Sequence, residues 1–268
     1  MSSLAPILAV ARLAFRESAR NRVLHALVGA TLAAAAASFL FAWVAGDEQV
    51  RTNKIVADLS LSAIVVLGTI ASIVLGTGIV AQEVERRTVH AVLARPIGRG
   101  GFIVGKYLGL AAVLVVATAA MGAGFLLIFA LGGGTPSLVI VEALLLVALE
   151  LCVVTAISVF FSVAAHPVEG AVFAFVVAVA GHVTADLDRL GAQLVEVPDP
   201  SFLARAGAKA LHVAYILLPN LQNFDVRSAA AHGLPVAAGQ VGLAIVYAAV
   251  YVAIVLCLAT AVFRRKGL

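Results

Sequence analysis

Charge is what this chain has least of. Of its 268 residues only 12% are Asp, Glu, Lys or Arg, and 63% are apolar. A soluble domain carries about 25% charged and about 45–50% apolar residues. Such a composition cannot clothe a water-facing surface, which argues against a cytoplasmic enzyme, a disordered segment and a nucleic-acid binder. A mean hydropathy of +1.10 points instead to a lipid bilayer as solvent. Cysteine is scarce as well: Cys152 and Cys257 both lie inside apolar runs, with no CxxC pair and no disulfide framework. Met1 and Met121 are the only methionines, too few for a thioether path for copper. The six histidines form no HExxH and no ligand-like pairing, His182 and Asp186 coming nearest, so no metal site is expected. Alternation of apolar and polar residues over about ten positions is also missing, which leaves no transmembrane strands.

Long apolar runs are what the chain does have. A spanning helix needs about 20 mostly apolar residues. Six runs meet this, near 23–45, 59–81, 104–131, 138–165, 168–185 and 240–263, and predict an all-α polytopic membrane protein of a single domain, 1–268. The fourth and fifth runs are parted only by His166-Pro167, where the missing proline N–H fits a tight break. With both termini cytoplasmic, twelve of the 18 Lys and Arg residues fall inside: Arg12, Arg16, Arg20, Arg22, Arg86, Arg87, Arg95, Arg99, Lys106, Arg264, Arg265 and Lys266. The positive-inside rule favours that orientation. It also explains the net charge of +4 by topology and lipid head groups, without nucleic acid.

Three of the segments outside the runs carry a pattern of their own. Residues 1–22 read as an interfacial helix. Leu4, Ile7, Leu8, Ala11 and Phe15 form one stripe, and Arg12, Arg16 and Arg20 another. Their charge follows the apolar stretch, so no cleaved signal is expected. Residues 82–103 form the largest inner segment. In it Glu83, Glu85, Arg86, Arg87 and His90 alternate at helical spacing with Val84, Val89, Val92 and Leu93. A short amphipathic helix ending near Arg95, before Pro96, is one reading, and a solvated charged loop is the other. Residues 186–239 form the outer segment, predicted to hold one or two short helices that dip into the outer leaflet as a cap, because over 50 structureless residues would be unusual.

Gly100-x-x-x-x-Gly105-Lys106 imitates a phosphate-binding loop, but Tyr107 stands where Ser or Thr must hold magnesium, and a spanning helix follows in place of a strand–helix turn. Gly105 and Gly109 read better as a small-xxx-small pair that lets two helices approach. Glu142 and Glu150 fall inside the fourth run. A carboxylate at a span centre costs about 2.5–3.5 kcal/mol. Eight residues is about 80° beyond two full turns, so both can border one broad face. They are candidates for a transport path; a protonated or hydrogen-bonded structural role for Glu150 stays open.

The run Glu83-Val-Glu85-Arg86-Arg87-Thr88, then Val92-Leu93-Ala-Arg95-Pro96-Ile97-Gly-Arg99 and Phe102-Ile-Val-Gly105-Lys106-Tyr107, resembles the inner loop of ABC type-2 (ABC-2) transporter permeases. Arg87 stands where a Gly is frequent. Tyr215 to Phe224, with Leu218-Pro219-Asn220 and Phe224-Asp225, is similar to the branch that includes the permeases of nitrous-oxide-reductase maturation and of gliding motility. The resemblance implies the membrane permease subunit of an ABC exporter in a prokaryotic inner membrane, itself no enzyme. Two copies of a separate ABC ATPase would hold the ATP and Mg, with no cofactor on this chain, and a second permease copy or a related permease would complete the pore. It further implies that Glu83, Glu85, Arg86, Arg87, Thr88, Leu93 and Arg95 belong to a coupling helix seated in the ATPase, with the N-terminal helix adding to that contact. The residues alone leave three rivals. These are a proton-coupled secondary transporter using Glu150, an intramembrane enzyme, and a non-transporting membrane scaffold or immunity protein.

Overall fold

The computed structural model describes residues 4–44, 49–85, 98–196, 201–232 and 234–265, and is helical with no strand among them. Helix α1 (Leu4–Ala19) leads through a two-residue turn into α2 (Arg22–Val44). Asn21 Oδ1 accepts the Val23 N–H at 2.8 Å and so satisfies an orphan donor at that helix start. Helices α3 (Gln49–Glu85), α4 (Arg99–Leu131) and α5 (Leu138–Ala164) follow. Gly133, at φ 83°, provides the left-handed residue in the turn from α4 to α5. After Pro167, well placed as the first helical residue, come α6 (Pro167–His182), α7 (Thr184–Val195) and α8 (Phe202–Leu217). A short 3-10 turn (Leu221–Phe224) and α9 (Arg227–His232) lead to α10 (Ala238–Arg265).

Among the described residues five helices are long and apolar enough to cross a membrane: those within Arg22–Leu40, Asn53–Ile79, Arg99–Leu131, Leu138–Ala164 and Gly239–Arg265. The fifth expected span differs. At 16 residues α6 rises only about 24 Å, short of a ~30 Å hydrocarbon core. The chain then bends by 62° into α7, so a sixth crossing exists only if the bent pair counts as one. The reason lies at the joint. Gly181 sits so close to the outer segment that a Cβ there would meet the Pro219 carbonyl at 2.7 Å. Thr184 Oγ1 lies 2.9 to 3.2 Å from the carbonyls of Ala180, Gly181 and Pro219, giving them a donor where the helical ladder breaks. The outer segment is also richer in helix than expected, holding most of α7, all of α8 and α9, and the 3-10 turn.

Helices α3 and α5 are the most enclosed. Gly76 lets them touch, since a Cβ there would lie 2.4 Å from Ser158 Cβ. Buried Ser72, Thr77, Thr155 and Ser158 each donate to the carbonyl four residues back, so the apolar interior meets no loose hydroxyl at these positions.

Helix α1 packs along α4, and the two glycines decide how closely. A Cβ on Gly105 would meet the Ile7 carbonyl and Val10 at 2.9 Å; one on Gly109 would meet the Ala11 carbonyl at 2.3 Å and Ala14 at 2.7 Å. The imitation phosphate loop is thus simply the first turns of α4. The protein-facing stripe of α1 is Val10, Ala14 and Ser18, flanked by half-buried Ile7, Ala11 and Phe15, while Leu4 and Leu8 of the expected membrane-facing stripe stay 64% and 62% exposed. Three stripes result on α1: a protein-facing one, an outward one bearing Leu4 and Leu8, and the exposed cations Arg12 and Arg16 beyond it.

Gly109→Ala is expected to force α1 off α4, lowering stability by about 1–3 kcal/mol. Gly29→Ala, at a position with nothing within 4 Å, is the control. Denaturant unfolding of the purified chain, with limited proteolysis after Arg12 and Arg16, checks both.

Candidate functional site

Glu150 sits near the middle of α5 and is 2% exposed. His182, the last residue of α6, brings Nε2 to 2.9 Å from Glu150 Oε1. The connection is a helical hairpin. Glu150 stands 14 residues before the end of α5 and His182 stands 15 after the start of α6, so both lie about 21–23 Å from the turn at His166. That equal spacing is the signal that could have found the pair; the nearer-looking pairing of His182 with Asp186 in sequence is not the one formed. His182 Nδ1 lies 2.9 Å from the Ala178 carbonyl. A carbonyl only accepts, so Nδ1 carries the proton there. The contact is an ion-pair approach and not an aligned hydrogen bond, and Oε1 has no hydrogen-bond partner among the described residues. Glu142, nearer the start of α5, is half-buried and stands apart from this cluster.

A second layer of polar contacts comes from the outer segment. Gln222 Nε2 donates to the His182 carbonyl at 2.7 Å and reaches Asp186 Oδ2 at 3.2 Å. Asn220 donates its backbone N–H to the Tyr247 hydroxyl of α10 at 2.7 Å. Arg227 closes on Asp225 through two parallel bonds, Nε to Oδ1 at 2.8 Å and Nη2 to Oδ2 at 2.7 Å. Its Nη1 donates to Ser62 of α3 at 3.2 Å. Leu221 and Phe224 are buried beneath these bonds, inside the core cluster shared by α5, α6 and α10. Residues 219–227 are therefore sewn to α3, α6, α7 and α10 at once. A cleft of about 680 Å³ opens beside them, lined by polar Gln222, Asn223, Asp225 and Tyr247 and by apolar Leu146 and Leu243.

The other sequence candidates lie elsewhere. Glu83 and Glu85 belong to the last turn of α3. Arg86, Arg87, Thr88, Leu93 and Arg95 fall outside the described residues. Lys106, 1% exposed, reaches back to α1 with Nζ 3.5 Å from Glu17 Oε2 and 5.9 Å from the Phe102 ring centroid. Among the described residues no cluster of three or more His, Cys, Asp or Glu could hold a metal ion.

The Arg227 guanidinium holds the Asp225 carboxyl below its ordinary value, and Asp225 in turn raises Arg227. A depressed carboxyl adds stability in full above its unfolded value of about 3.9, and loses it as pH falls through the lower folded value. The unfolding temperature of the wild type should therefore drop more steeply between about pH 6 and about pH 2 than that of Asp225→Asn. Equal slopes would remove the pair from the account of acid stability.

No curated protein matches the chain. A family model described as ABC-2 family transporter protein matches residues 8–268. The sequence resemblance and the run of apolar helices agree with that match, and families of this kind are membrane transport components that work with ABC ATPases. The chain is a multi-pass membrane protein and belongs to the ABC-2 transporter family, as a permease of an ABC transporter.

Proposed function

We propose that this chain is the membrane subunit of an ABC exporter in a prokaryotic inner membrane, with both termini cytoplasmic. In this reading it pairs with a second copy or a related permease over two ATPase subunits. The observation that carries the reading is the family match over residues 8–268. The composition and the inner bias of Lys and Arg support the orientation. The similarity of residues 215–225 to the nitrous-oxide-reductase maturation and gliding-motility branch supports placing it near those permeases.

The ATPase contact is assigned to residues 83–95, with Glu83, Glu85, Arg86, Arg87, Thr88, Leu93 and Arg95 as contacts, none of them a catalyst. The ATP and Mg belong to the partner. The packing of α1 on α4 suggests how a push there would spread. Arg99 opens α4 directly after this segment, and two turns later α4 is joined to α1 by the glycine groove and by Lys106 with Glu17. A displacement of the inner loop would move α4 and α1 together. Helix α1 would ride in the inner interface, with Leu4 and Leu8 toward the acyl chains and Arg12 and Arg16 toward head groups. Work enters as a shift between two states; no bond is made on this chain.

The test is charge reversal, Glu85→Lys with Arg87→Glu, in a transporter assembled from the chain and a co-expressed ABC ATPase. ATPase activity that depends on the permease is expected to fall to that of the ATPase alone. An unchanged rate, or an ATPase that never co-purifies with the unmutated chain, overturns the assignment.

A further inference from the structure

We propose that the cleft beside residues 219–227 binds an amphiphile with an uncharged, hydroxyl-bearing head, its hydrocarbon tail laid along the exposed face of α10. As a class of cargo this rests on the transporter reading; as a binding site it does not. At about 680 Å³ the cleft has the size of a small-molecule site. Its chemistry follows from what each polar side chain on the wall has left to offer. Asn223, Ser228 and Gln240 line the cleft and spend no side-chain donor or acceptor on the described residues. The Tyr247 hydroxyl accepts the Asn220 N–H at 2.7 Å, which leaves its own hydrogen to donate. Gln222 gives its amide nitrogen to the His182 carbonyl and to Asp186, which leaves its amide oxygen to accept. All of these groups are neutral, and together they both donate and accept. A hydroxyl does both as well, and so matches them.

Charge on the wall is already balanced. Among the described residues Asp225 is the one charged side chain that lines the cleft, and both its oxygens are held by Arg227, which is not part of the wall. A phosphate head would lose its water and meet a carboxylate; an ammonium head would compete with a bidentate arginine. The tail follows from the helix. Gln240, Leu243, Ala244 and Tyr247 bring α10 to the cleft within about 14 Å of its start. Tyr247 is fixed there between Phe224 and Tyr251, with ring centroids 6.0 and 5.9 Å away. Val250, Ile254 and Leu258 continue from Leu243 on the same side of the helix, at successive spacings of seven, four and four residues. Each of these four is more than half exposed. One side of α10 thus joins hydrogen-bonding groups near its start to an aliphatic track farther along. That order fits a polar head with a hydrocarbon tail, and fits neither a free sugar nor a bare acyl chain.

The test is photolabelling of the purified full-length chain in phosphatidylcholine nanodiscs. Three probes share one diazirine-bearing decyl tail and carry a maltoside, a phosphate or a trimethylammonium head. Labelled peptides are mapped by mass spectrometry, each signal scaled to that of the exposed α4 segment around Leu127. The maltoside probe is expected to label residues 243–258 about fivefold more than either charged probe, the size two uncharged hydrogen bonds allow. The pair Asn223→Leu with Gln240→Leu is expected to abolish that preference and to leave the α4 signal unchanged. Equal labelling by the three heads marks ordinary lipid contact, and no labelling of 243–258 by any of them marks a face closed by a second copy; either result overturns the proposal, as does a preference that survives in the double variant. If the double variant does not fold, competition decides: a maltoside signal that excess unlabelled decyl maltoside fails to lower overturns it. No ATPase is used, so failure here leaves the transporter reading standing, and failure of the charge-reversal test leaves this site standing.

Discussion

A carboxyl group buried in an apolar interior needs a polar neighbour, and much of the packing around residues 219–227 gathers about that need. Glu150 lies where a lone charge costs about 2.5–3.5 kcal/mol. Its partner His182 stands on the next helix at the same distance from the intervening turn. His182 is the last residue of α6, and the chain turns directly after it. Gly181 and Thr184 stand at the turn, against Pro219 of the segment 219–227. The short α6, the 62° bend and the buried 3-10 turn meet at this joint.

The contacts of α1 on α4 and of α3 on α5 obey a different constraint. Inside a bilayer there is little hydrophobic force between helices, so close backbone approach supplies the attraction. Gly105 and Gly109 provide it for α1 on α4, and Gly76 provides it between α3 and α5. At the α1 contact a buried lysine meets a glutamate at the solvent edge, so the apolar groove ends in a charge pair. Helices α3 and α5 carry the Gly76 contact and also reach the polar cluster, through Ser62 and Glu150. In the proposed transporter, these helices are the route from the ATPase side to the outer segment.

Much of the architecture was legible before any coordinates. Apolar runs near 20 residues announce themselves, and five of the six expected spans appear as long helices at close to the expected positions. The family was legible in the inner loop, although Arg86, Arg87, Thr88, Leu93 and Arg95 fall outside the described residues. Glu150 could be read as buried and in need of a partner. The identity of that partner could not, because a helical pattern records which residues share a face and says nothing about which neighbour meets it. The same limit applies to α1: its apolar stripe could be read in sequence, but the seating of Val10, Ala14 and Ser18 on α4 could not.

Composition decided the solvent, and the order of residues along the chain decided the helical class and the number of apolar runs, since each is a sum over local preferences: hydrocarbon rewards apolar residues one at a time and demands that each backbone bond be closed within its own segment. Tertiary structure alone decided that the fifth run stops short, that Gln222 and Arg227 reach inward, and that a mid-span glutamate meets a histidine 32 positions away. Those outcomes depend on distances between helices, which are set by the fit of side chains from several segments at once and are written in no single stretch of sequence.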